Sequence, residues 1–80
     1  MPYIKEERKQ ALHAYDQMEH PGELNFLITN LCSEYLRKNK ECYQTYNDII
    51  GALECAKLEM YRRKIALYED IKIKENGDVY

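Results

Sequence analysis

Leu24, Leu27, Ile28, Leu31, Cys32, Tyr35 and Leu36 fall at i, i+3, i+4, i+7, i+8, i+11 and i+12, the spacing that lines one face of an α-helix. No other feature narrows the fold as much. It predicts a helix of about four turns with a continuous apolar stripe. His20-Pro21-Gly22-Glu23 stands in front of it. Proline ends any preceding helix and is tolerated in the first turn of the next. Arg37, Lys38 and Lys40 bring positive charge to the C-terminal end, where the helix dipole favours it.

Two further helices flank this one. Residues 5–19 are polar and rich in helix formers, with Leu12, Tyr15 and Met18 three apart, which predicts a helix with a narrow stripe. Thr45-Tyr46-Asn47-Asp48 has capping-box spacing, with Asp in place of the usual Glu or Gln, so Thr45 is the expected N-cap of helix three. Its stripe runs through Tyr46, Ile49, Ile50, Leu53, Ala56, Met60 and Leu67 without a proline. A helix over residues 46–69 would be roughly 36 Å long. Gly51 inside it costs up to about 1 kcal/mol relative to Ala, which a close helix crossing would explain, as would chance. Residues 1–4 read as extended. Ile71-Lys72-Ile73 alternates and Asn76-Gly77 signals a turn, but too little chain follows for a hairpin. A short extended tail is expected there, able to pair with Tyr3-Ile4. The expected class is all-α: one domain over residues 1–80, helices two and three in an antiparallel hairpin, helix one across them, and short extended termini that can pair.

Size then constrains how such a chain holds together. With 80 residues it buries only about 60% of the surface it exposes unfolded, and domains this small usually need a staple. Cys32, Cys42 and Cys55 are an odd number without close pairing, which reads as reduced thiols in a cytoplasmic protein rather than a secreted disulfide framework. No charged-then-apolar leader opens the chain, and no apolar run nears the ~20 residues of a membrane span. The staple expected here is another subunit. Helix three is longer than helix two can cover, and helix one offers few apolar residues. Each wet Leu or Met forgoes roughly 1.5–3 kcal/mol, so Met60, Tyr61, Leu67 and Tyr68 point to a homo-oligomer, most simply a two-fold dimer. The alternative is a monomer in which helix one folds back along helix three.

Little in the chain suggests catalysis. His13 and His20 stand seven apart across a predicted helix end, there is no C-x-x-C pair, and the three glycines form no phosphate loop. Neither metal, cofactor nor enzymatic activity is expected. A net charge of −2 argues against a dedicated nucleic-acid binder, which normally carries a strongly basic face. Glu59 with Arg63 and Glu54 with Lys57 fit helical salt-bridge spacing. Eight tyrosines against one Phe and no Trp suit surfaces that are partly buried or meet a partner, although Tyr also fills the edge of a thin core.

One cluster combines the residue types that bind nucleotides. Lys57, Arg62 and Arg63 can hold phosphate, Arg bidentately. Tyr61, Tyr43 and Tyr46 can stack on a base, and Asn47 can read its edge. The competing reading is a solvated, salt-bridged helix face.

The segments Met1-Pro2-Tyr3-Ile4, Gly22-Glu23-Leu24-Asn25, Ile28-Thr29-Asn30-Leu31-Cys32, Tyr61-Arg62-Arg63 and Tyr68-Glu69-Asp70 through Glu75-Asn76-Gly77-Asp78-Val79-Tyr80, and above all the run over residues 43–54, resemble a family of very short uncharacterised proteins encoded by tailed bacteriophages and prophages. Helix one matches poorly. The resemblance implies a setting, the cytoplasm of a host cell, and an ordered tail, but no activity. Phages make small helical oligomers that sequester host nucleotide immune signals between subunits. The expected function is therefore non-catalytic binding by a homo-oligomer, first to a host or phage protein, alternatively to a nucleotide signal as a sponge.

Overall fold

A computed structural model describes residues 4–11 and 17–80. These residues are mostly helical and contain no strand: α1 (Glu6–Ala11), α2 (Pro21–Lys38), α3 (Tyr43–Met60), a five-residue π turn (Tyr61–Ile65) and α4 (Ala66–Asn76). By their contacts they gather into two units, Met1–Tyr46 and Asn47–Tyr80.

The first unit is built round a polar clamp. Pro21 opens α2 at a position whose N–H would lack a helical partner anyway, and Glu23 and Leu24 donate their amides to the His20 carbonyl at 3.0 and 3.2 Å. Glu23 is 2% exposed. It accepts from Arg8 through both oxygens, at 2.5 Å from Nε and 2.7 Å from Nη2, and from the Glu19 amide at 2.8 Å. Arg8 also donates to the Gln17 carbonyl at 3.0 Å, and Lys9 stands 5.9 Å from the Phe26 ring centre. Charge therefore docks α1 on the start of α2. Along α2 the stripe is only partly covered: Leu27, Cys32 and Leu36 are half-buried, whereas Leu24, Ile28, Leu31 and Tyr35 are exposed. Asn39 closes the helix, its amide and side chain both donating to the Tyr35 carbonyl.

Helix one is shorter than its composition suggests. It does not reach residue 19, because Met18 and Glu19 are non-helical, and Glu19 spends its amide on Glu23. Leu12 and Tyr15, expected on its stripe, lie outside the described residues, as does Tyr3, expected to pair with the tail.

Helix three starts earlier than the capping-box reading places it. The first helical residue is Tyr43, and the Cys42 carbonyl accepts from the Tyr46 amide at 3.1 Å. Thr45 is thus inside the first turn. Its buried hydroxyl reaches back to the Lys40 carbonyl at 2.5 Å, with Cys42 Sγ 3.5 Å away. Bonding to the preceding loop, rather than capping, explains why a threonine sits there.

The second unit is one long helix with a short tail. From residue 47 to 76 it extends roughly 45 Å at 1.5 Å per residue. The helix outruns the expected end at residue 69 and carries Ile71, Lys72 and Ile73, which alternation had assigned to an extended tail. No strand lies among the described residues to pair with them, and i→i+4 bonds satisfy those amides within the helix. Asn76-Gly77 then acts as a helix stop. Gly77, at φ 89° and ψ 153°, donates its amide to the Ile73 carbonyl at 2.8 Å. Only residues 77–80 are extended. Within the helix the Ala66 amide bonds the Tyr61 carbonyl, an i→i+5 link that marks a local π turn. At Gly51 an added Cβ would meet nothing within 4 Å among the described residues, so no crossing by them accounts for that glycine.

Candidate functional site

The second unit has no core. No described side chain from residue 47 to 80 is buried, and only Ile49 and Ala66 are even half-covered. Ile50, Met60 and Leu67 are 65%, 61% and 60% exposed. A helix that closed over its own apolar groups would not leave Leu53, Leu58, Ile65, Tyr68 and Ile71 open to water as well.

Of the seven residues with nucleotide-binding chemistry, two lie in the first unit and five in the second. In the first unit Tyr43 is exposed, and the Tyr46 hydroxyl donates to Glu41 at 2.5 Å. That carboxylate holds the phenol proton and raises the Tyr46 pKa above its ordinary value. In the second unit Asn47 is exposed. Lys57 pairs with Glu54 at 3.3 Å, Arg62 with Glu59 at 3.0 Å and Arg63 with the same Glu59 oxygen at 3.6 Å. Tyr61 donates to Glu69 at 2.5 Å, and its pKa is raised for the same reason as that of Tyr46. The two sequence-spaced ion pairs, Glu54–Lys57 and Glu59–Arg63, form as expected. All are solvent-exposed, so each contributes only tenths of a kcal/mol.

Two open grooves border these residues. One is lined by Ala56, Glu59, Met60, Arg63 and Lys64. The other runs along α4 beside the tail, between Tyr61, Glu69, Ile73 and Tyr80. Neither gathers Lys57, Arg62 and Arg63 round one space. Their cations are already engaged by acids of the same helix, so a phosphate would have to displace Glu59.

Other chemistry-bearing groups are dispersed. Cys32 and Cys42 are half-buried thiols and Cys55 is an exposed one. His20 is exposed, and His13 lies outside the described residues. Among the described residues no three His, Cys, Asp or Glu gather in metal-ligand fashion, and no helix is long and apolar enough to cross a membrane.

Sequence reasoning missed three features. The Arg8–Glu23 clamp joins residues fifteen apart across a bend, which no local period reveals; the only signal was a Glu two residues after the helix-opening Pro21. Phe26 packs under Lys9 although it lies off the apolar stripe. The π turn at Tyr61-Arg62-Arg63-Lys64-Ile65 had no signal.

Comparison with curated proteins and with solved structures gives no match. The family described as Domain of unknown function (DUF6899) matches residues 1–79, nearly the whole chain, and the protein belongs to that family.

Proposed function

We propose that this protein is a non-catalytic binding protein that works as a small helical homo-oligomer and engages a protein partner. The observation that carries the proposal is the uncovered apolar surface of the second unit, where Ile50, Met60 and Leu67 are each at least 60% exposed. Covering a Leu or Met is worth roughly 1.5–3 kcal/mol, and a domain of this length has little stability to spare. Tyrosine along the same helix suits such contacts, since its ring is apolar and its hydroxyl remains satisfied at a wet rim.

The proposal includes the setting implied by the residue resemblance: a phage or prophage accessory protein in the cytoplasm of its host. It also includes the antiparallel hairpin of α2 and α3 and the pairing of the chain ends, as further ways for the assembled protein to cover Leu24, Leu31, Ile50 and Leu53. The sponge reading requires Arg62 and Arg63 to leave Glu59 and converge on a ligand, so it ranks second.

Thermal denaturation over a wide concentration range tests the proposal. Self-association makes the melting temperature climb with protein concentration. A midpoint independent of concentration argues for a lone protomer. In the same assay, a shift with cyclic nucleotides or ADP-ribose that disappears in Arg62→Ala or Arg63→Ala would replace the protein-partner reading with the sponge.

A further inference from the structure

Leu58, Arg62, Ala66 and Asp70 follow at four-residue steps, and Ile73 comes three further on. Residues spaced in this way neighbour one another on a helix surface. In an uninterrupted α-helix each four-residue step drifts about 40° round the axis, so the row would wind away. The π turn lies inside the row and holds more residues per turn, which takes back much of that drift. The five residues therefore present one face.

Read from either end, this face is complementary to itself. An apolar residue comes first, then a charge, then Ala66, then the opposite charge, then an apolar residue. Leu58 and Ile73 are 55% and 41% exposed. Asp70 has no ion-pair or hydrogen-bond partner among the described residues, and Arg62 shares the one Glu59 carboxylate with Arg63. The tail runs beside this face and borders an open groove with Ala66, Asp70 and Ile73; Val79 is 90% exposed and Ala66 half-covered.

We propose that a second copy of this chain packs antiparallel across Ala66, with a two-fold axis at that residue, so that Arg62 of each copy meets Asp70 of the other and Leu58 meets Ile73. The inference rests on the homo-oligomer reading and names its geometry. A two-fold contact needs a patch that matches itself, and an antiparallel one needs that match under reversal of the chain direction. The small side chain at the axis lets the two helices come close. The two ion pairs on either side fix the register, since a slip by one turn sets Arg62 or Asp70 against an apolar residue. A parallel pair would oppose Arg62 to Arg62 and Asp70 to Asp70.

Charge exchange in the full-length protein tests the geometry, with sedimentation measuring association and circular dichroism checking helicity. Asp70→Arg breaks no hydrogen bond or ion pair among the described residues. It should weaken self-association by about tenfold or more, since like charges then meet on both sides of the axis. Arg62→Asp should do the same, and the double variant Arg62→Asp/Asp70→Arg should recover to within about threefold of the unsubstituted protein. Full-strength association of Asp70→Arg, or a double variant no better than the singles, overturns the antiparallel register while leaving self-association intact. An unsubstituted protein that does not associate at all removes the homo-oligomer reading itself.

Discussion

Tyr61 donates its hydroxyl proton to Glu69 at 2.5 Å, eight residues further along the same helix and across the π turn. In a straight α-helix, residues eight apart lie about 80° apart round the axis. The π turn absorbs roughly one residue, which brings the pair to the seven-residue spacing that shares a face. The bond and the turn are thus one feature, and each stabilises the other.

Tyr61 should therefore titrate above an ordinary tyrosine, because its neutral form is the one that donates to the Glu69 carboxylate. This contribution to stability is complete below the unfolded tyrosine value near 10 and is lost as pH rises through the higher folded value. The difference in phenolate absorbance between the protein and Tyr61→Phe isolates the residue. Glu69→Gln should bring its midpoint down towards the ordinary range; an unmoved midpoint would mean that the carboxylate is not the cause.

The Arg8–Glu23 clamp makes the first unit sensitive to acid. Glu23 is held down to about 2 from its ordinary value of 4.5, first by the Arg8 guanidinium and then by the Glu19 amide. Neighbours close over the carboxylate. A depressed carboxylate stabilises above its unfolded pKa and loses that contribution as pH falls through the folded one, so the window is between about 4.5 and 2. Protection of the Glu19 amide, taken relative to its intrinsic exchange rate at each pH, should fall across this range. In Arg8→Gln it should already be low at neutral pH, and equal protection in the two proteins would show that the clamp does not hold α1.

The sequence made some of this legible and hid the rest for identifiable reasons. The Leu24-to-Leu36 stripe and its Pro21 start specify α2, because a 3.6-residue period and a proline are local signals. Ion pairs three or four residues apart, such as Glu54–Lys57, were readable for the same reason. Thr45 misled because a Thr with an acid three residues on fits an N-cap, while its actual bond to Lys40 depends on the path of the preceding loop. Ile71-Lys72-Ile73 misled because alternation over three residues is too short to outweigh a helix already propagating through residue 70. Arg8–Glu23 was invisible because the two meet only through the fold. Of the candidate site, residue types were legible but convergence was not: Arg62 and Arg63 face an acid on their own helix.

Two glycines separate propensity from geometry. Gly51→Ala should stabilise the protein by about 0.5–1 kcal/mol, since a Cβ there meets nothing within 4 Å and glycine costs that much in a helix interior. Gly51 also lies outside the Leu58-to-Ile73 face, so association should be unchanged. A loss of stability or association would reveal a close approach at that position.

Gly77 should behave in the opposite way. Its φ of 89° with ψ of 153° is a conformation nearly restricted to glycine, so Gly77→Ala should cost about 1–3 kcal/mol locally and fray the last turn of α4. Loss of amide protection confined to Gly77 and the residues just before it would confirm the role of this stop, whereas unchanged protection would place the tail elsewhere.

The claim on which function depends is that the exposed apolar helix of the second unit is covered by another copy. Light scattering on the full chain at micromolar concentration measures this directly. A mass of twice the 9.6 kDa protomer is the predicted result. A constant mass of 9.6 kDa across the whole concentration range would contradict it.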